Sequence, residues 1–222
     1  MNIIFVVEGK RTEKRIYKKW INYVQPALEF VPSITDLVGN NFTIISGGGY
    51  PGYYKVIRNS ICDVNRMNNI DYLFICIDSE ELSFSEKSRE MGEFIEKECP
   101  TVNSRLVLVI QNHCIETWLI GNKKINLSAA QNQELCKYRD FYNVNTLDPE
   151  DLVSIDNRTI AQFTLDYLVL MLREKGFSYS KSNVSAVSNK SYFNQLVKRF
   201  TGHNHIKSFG YFFQELKKIQ SF

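Results

Sequence analysis

The sequence predicts an α/β fold with a four-stranded, mostly parallel sheet flanked by helices. Two observations carry this. Four short runs, Ile3–Val7, Phe42–Ile45, Tyr72–Ile77 and Leu106–Ile110, are almost continuously apolar and rich in Val, Ile and Phe. Strands buried on both faces read this way, whereas a strand with one wet face alternates. Segments with helical spacing separate the runs, and a β-α-β-α-β-α-β order implies parallel strands joined by right-handed crossovers.

The elements follow in order. Thr12 is placed to cap a helix running to about Val24, with Ile16, Trp20, Tyr23 and Val24 at helical spacing and Pro26 beyond its end. A second helix is expected over Tyr53–Met67 and a third over Ser85–Lys97, which Pro100 follows. After Gln111 the character changes. A short helix is expected over Cys114–Ile120, and residues 126–158 are polar and weakly periodic. Ile160–Glu174 reads as a helix ended by Gly176, and Ser-rich 177–190 as a loop. Two last helices are expected at about Ser191–Phe200 and Lys207–Ile219. The expected organisation is an α/β domain over 1–122 and a helical C-terminal region over 123–222 packed on it.

Composition narrows the class. With 222 residues and 44% hydrophobic content the chain can build a core without disulfides. Its five cysteines are odd in number and form no CxxC pair, so they read as reduced thiols of a cytoplasmic protein. The N-terminal apolar run stops at Glu8 with no basic segment before it, so no secretory leader is expected. No run approaches the roughly 20 apolar residues of a membrane span, so no membrane partner is expected.

The net charge of +3 is an average of opposed regions. Residues 67–125 hold 6 Lys/Arg against 10 Asp/Glu, and residues 178–222 hold 7 against 1. In the basic tail, Lys181, Lys190, Lys198, Arg199 and Lys207 lie among Tyr179, Tyr192, Phe193, Phe200 and Phe209. Cations interleaved with aromatics suit nucleic acid, as single strands or distorted duplexes.

Sites in parallel α/β sheets form beyond the carboxyl ends of the strands. Glu8-Gly9 follows the first run, Ser46 and Gly47–Gly49 the second, Asp78-Ser79-Glu80-Glu81 the third, and His113 and Glu116 lie just past the fourth. Gathered carboxylates repel one another, and a divalent cation relieves the repulsion. Oxygen ligands select Mg²⁺ or Mn²⁺. Asp78 and Glu80 project the same way from an extended segment, and a bend there would let both reach one ion. Glu8 would face them if the first and third strands are neighbours. Gly47–Gly49 with Pro51-Gly52 would let backbone N–H groups approach a phosphate, though the Walker pattern is absent.

These residues resemble a TOPRIM domain. Phe5-Val6-Val7-Glu8-Gly9 with Thr12-Glu13, then Ile77-Asp78-Ser79-Glu80, match a first strand ending in Glu-Gly, Thr-Glu opening a helix, and a later strand ending in Asp-x-Glu. The stretch Phe5–Tyr17 is most similar to stand-alone prokaryotic TOPRIM-like proteins of the RloB-like and OLD-nuclease type, many linked to phage defence. His113-Cys114-Ile115-Glu116-Thr117-Trp118-Leu119 resembles their x-Glu-x-Trp-Leu signature.

The resemblance covers about residues 1–122 and implies a metal-dependent nuclease acting on DNA or RNA. It assigns Asp78 and Glu80 to Mg²⁺ or Mn²⁺, Glu8 to metal or to a water as general base, and Glu116 to a second metal. It also implies a partner ATPase encoded nearby, since this chain carries none. Lys55, after the glycine-rich exit, is the favoured cation for stabilising the reacting phosphate, ahead of Lys10 and Arg58. Many TOPRIM enzymes have Asp where Glu80 stands, which keeps open a non-catalytic nucleic-acid-binding or regulatory subunit. A metal-dependent enzyme on a nucleotide is the other alternative. Glu13 is expected to contact its own helix terminus, Trp20 and Trp118 to be core residues, and His203-Asn204-His205 to match the HNH motif by letters alone.

Overall fold

The computed structural model describes residues 1–125 and 132–219. The expected α/β class holds, with a five-stranded parallel sheet in the order β2-β3-β1-β4-β5. The strands are β1 (Asn2–Val7), β2 (Glu29–Phe30), β3 (Asn41–Ser46), β4 (Tyr72–Asp78) and β5 (Arg105–Gln111). β1 is central and buried along its whole length. It pairs with β3 in the register Val7↔Ser46 and with β4 in the register Val7↔Cys76. Phe5 sits between two phenylalanines, stacked on Phe74 at 4.7 Å and edge-on to Phe42 at 6.0 Å. The strand missing from the sequence reading is β2, which adds two residues to the outer side of β3.

The helices are α1 (Thr12–Val24), α2 (Gly52–Met67), α3 (Phe84–Glu98), α4 (Ile115–Leu119), α5 (Gln133–Phe141), α6 (Ile160–Glu174), α7 (Lys190–His203) and α8 (Lys207–Lys218). Thr12 is the first helical residue of α1, not its cap. Arg11 precedes it without a capping side chain. Helix α5 is the one the sequence reading lacks. Only Leu135 and Tyr138 are buried on it, and Asn132 caps its first turn. Helix α6 starts with a reciprocal capping box between Thr159 and Gln162.

The chain forms two compact units that do not divide at residue 122. One contains Met1–Ile77, Phe84–Ile110 and the segment from Phe212; the other contains Asp78–Ser83 and Gln111–Tyr211. Packing explains why the final turns join the first unit. Tyr17 of α1 meets Phe212 at 4.9 Å, and Gln25 Nε2 donates to the carbonyls of Leu216 and Ile219 at 2.7 and 2.9 Å. The first unit's core runs from β1 and β4 to the inner faces of α2 and α3, with Ile57, Ile61, Val64 and Met91. In the second unit Trp118 is fully buried, donates Nε1–H to Ser208 Oγ at 2.6 Å and packs edge-on to Phe209. Trp20 is equally buried in the first unit, so both tryptophans are core residues. None of the five cysteines forms a disulfide.

Candidate functional site

In the first unit, the turn after β1 is built around Glu8. The Glu8 amide extends the sheet by donating to the Cys76 carbonyl at 3.1 Å. Its own carbonyl accepts from the Gly49 amide at 3.1 Å, while Ser46 Oγ donates to the Gly9 carbonyl at 3.1 Å. The Gly9 amide donates to the Glu13 carboxylate. This gives the Glu-Gly-x-x-Thr-Glu pattern a local cause, because Glu13 is buried on the first turn of α1 and closes the loop back on Gly9. A side chain at Gly9 would start 3.1 Å from a Glu13 oxygen. Gly47 is excluded from bearing one more firmly, since its Cβ would lie 2.7 Å from that of Tyr53. Glu8 is itself buried.

The basic candidates here separate. Lys10 and Lys55 are exposed. Arg58 lies 3.8 Å from Glu98 in a half-exposed pair. The sequence reading missed Lys87, which is only 3% exposed and donates to Tyr53 Oη at 2.7 Å and to Glu90 at 3.3 Å. Its signal was present: Lys87 stands four residues before Met91, on the buried stripe of α3.

In the second unit, Asp78, the last residue of β4, opens a turn interlocked with the one after β5. The Ser79 amide donates to the Gln111 carbonyl at 2.9 Å, and fully buried Ser79 Oγ accepts the His113 N–H at 2.8 Å. The Glu80 amide donates to the His113 carbonyl at 3.0 Å, and the His113 ring Nδ1 lies 2.8 Å from the Glu80 carbonyl. Both Glu80 (φ 54°) and His113 (φ 65°) hold left-handed backbone. Side-chain-bearing residues reach this region at a cost of about 1–2 kcal/mol each. The chain therefore turns at Glu80, which is exposed. Glu81, next in the run, accepts the Ile160 N–H at the start of α6 at 2.9 Å.

Glu116 is buried on α4 and accepts from Tyr179 Oη at 2.9 Å. Burial, and then that carboxylate, push the Tyr179 hydroxyl up, so it stays a donor. Buried Cys114 reports on two carboxylates at once. Its thiol is pushed well above the ordinary range by burial, then by Glu116, then by Asp78. Among the described residues no group of three or more His, Cys, Asp or Glu side chains is arranged to hold a metal ion.

The predicted basic face is corrected at one position. Lys181, Lys190, Lys198 and Lys207 are exposed, and Lys190 and Lys198 flank one shallow depression on α7. Arg199 is 2% exposed, and its guanidinium donates to the carbonyls of Asn145, Val144 and Leu147 at 3.0, 2.8 and 2.6 Å. Its guanidinium holds the 144–147 loop and is buried against backbone carbonyls, out of reach of a phosphate at the surface. His203-Asn204-His205 is a helix end: Asn204 takes the left-handed cap of α7, and its N–H donates to Phe200.

Among the described residues no helix is long and apolar enough to cross a membrane. Comparison of the chain with protein-family models, with curated proteins and with solved structures gives no match.

Proposed function

We propose that this chain is a Mg²⁺- or Mn²⁺-dependent phosphodiesterase that cleaves DNA or RNA, with the Asp78-Ser79-Glu80 turn as its metal-holding element. The supporting observation is the lock between this turn and His113, in which two side-chain-bearing residues are held in left-handed backbone. Such strain persists where the surroundings over-determine it, and it concentrates at functional sites.

The residue types suit the ion: Asp78 and Glu80, with Glu116 added by the TOPRIM resemblance, carry carboxylate oxygens, which hard cations prefer. Mg²⁺ is usually held by one or two carboxylates, with waters and substrate phosphate filling its other positions. A cage of three protein groups is not required. Bound there, the ion would supply Lewis-acid polarisation of a phosphoryl oxygen. Ser79 fixes the turn's direction, exposed Glu80 faces incoming substrate, and Tyr179 holds Glu116 in one orientation. Glu8 as proton acceptor, Lys55 as countercharge, a prokaryotic defence role and a partner ATPase are further parts of the proposal and rest on the TOPRIM resemblance.

The test compares wild type with Asp78→Ala and Glu80→Ala on end-labelled single- and double-stranded DNA and RNA, with Mg²⁺, Mn²⁺ or EDTA. Metal-dependent cleavage by wild type, reduced at least 100-fold in both variants, is expected. Cleavage by the variants at the wild-type rate overturns the assignment of the site. A wild-type protein that binds no Mg²⁺ or Mn²⁺ by calorimetry and cuts nothing overturns the enzyme reading in favour of a binding subunit.

A further inference from the structure

We infer that Tyr50 is a stacking platform for a base of a single-stranded nucleic acid entering at the glycine-rich turn after β3. The inference rests on the phosphodiester reading and names the form of substrate. Tyr50 is 63% exposed. Its neighbour Gly49 donates its N–H to the Glu8 carbonyl, so the ring emerges one residue from a backbone contact with a residue predicted to be catalytic.

The ring stands on a fixed base. Its centroid lies 6.1 Å from that of Tyr53 and 6.3 Å from that of Tyr54. Those two rings are 4.5 Å apart, and Tyr54 meets Phe94 edge-on at 4.8 Å. Beneath them buried Lys87 bonds Tyr53 Oη and Glu90, and Tyr54 Oη donates to the same Glu90 carboxylate. Lys87 Nζ lies 6.0 Å from the Tyr50 centroid, at the outer reach of a cation–π contact. A ring held in this way loses little freedom when a base covers it.

The surroundings suit a phosphate chain. Gly48 and Gly49 have φ of 84° and 87°, and no heavy atom lies closer than 3.9 Å to the Cβ position of either. Here glycine answers to backbone conformation, and the space beside it is open. The atom at 3.9 Å from the Gly48 position is Cε of exposed Lys10. An exposed ring beside an open glycine turn and a cation suits single strands, where the bases are uncovered. In a duplex, neighbouring bases already occupy those faces.

The experiment measures binding of a fluorescein-labelled strand of about 12 nucleotides by anisotropy, in EDTA so that nothing is cut. Wild type is compared with Tyr50→Ala, Tyr50→Phe and Tyr50→Trp, and a strand carrying 2-aminopurine reports stacking by quenching. Alanine is expected to raise Kd about 5- to 100-fold and to abolish the quenching. Phenylalanine and tryptophan should keep Kd within about 3-fold, since every aromatic ring offers a face. Binding by Tyr50→Ala equal to wild type, with cleavage intact, overturns this inference alone. A phenylalanine variant as weak as alanine also overturns it, because the hydroxyl would then be the contact. Failure of wild type to bind any strand overturns this inference, while the metal-dependent cleavage assay decides the phosphodiester reading separately.

Discussion

Ser79 and His113 are joined by one buried hydrogen bond, the His113 N–H to Ser79 Oγ at 2.8 Å. It ties the residue between the two carboxylates of the Asp78-Ser79-Glu80 turn to a histidine in left-handed backbone. Ser79→Ala should leave that N–H without its partner at a cost of about 1–3 kcal/mol. Urea denaturation is expected to show the loss. Cleavage should fall further than the small change in folded fraction explains, because the turn loses its direction.

The glycines after β3 should separate by cause. Gly47→Ala drives a methyl group to 2.7 Å from Tyr53 Cβ and should cost about 1–3 kcal/mol through overpacking. Gly49→Ala meets no heavy atom within 4 Å, and its cost should be the left-handed strain alone, about 1–2 kcal/mol. Thermal unfolding of the two variants checks the order.

Arg199 and Lys198 are adjacent in sequence and should behave oppositely. Arg199→Ala exposes three carbonyls to an empty space and should destabilise by about 2–4 kcal/mol. Arg199→Lys should not rescue it, since one ammonium cannot reproduce the planar fork. Lys198→Ala should stay within about 0.5 kcal/mol of wild type. Melting temperatures of the three proteins decide it.

Glu150 makes stability depend on pH. Its carboxylate accepts from the Ser208 amide at 3.0 Å and from Ser208 Oγ. Burial raises it from 4.5 to about 7, against the lowering effect of the Ser208 bond and with a further rise from Asp148. A carboxyl group raised on folding binds its proton more tightly when folded. Its contribution is therefore full below the unfolded value and is lost as pH rises through the folded one. Stability should fall by about 3 kcal/mol between pH 4.5 and 7.5 from this group. Urea titrations at several pH values should show the slope, and Glu150→Gln should flatten it.

The sheet was legible because its inner strands are buried on both faces and say so by continuous apolar runs. The two residues of β2 are too few to show any pattern, and α5 buries only Leu135 and Tyr138 of its nine residues. The carboxylates were legible as strand exits. Their fixing was not, because Glu80 and His113 take a conformation that glycine or asparagine would have announced. Arg199 misled through its charge, yet it falls on the buried stripe of α7 with Tyr192, Phe193 and Leu196. Spacing was a better guide there than residue type.

Arg199's burial also sets a limit on counterions. With it inside, four of the five cations predicted to grip nucleic acid are exposed, Lys181, Lys190, Lys198 and Lys207. A single strand held by all four would release about 0.7 ion for each phosphate contacted, so log affinity against log salt should slope at no more than about −3. A steeper slope would mean that part of the grip comes from elsewhere on the chain, with exposed Lys10, beside Gly48, and exposed Lys55 of α2 as the first places to look.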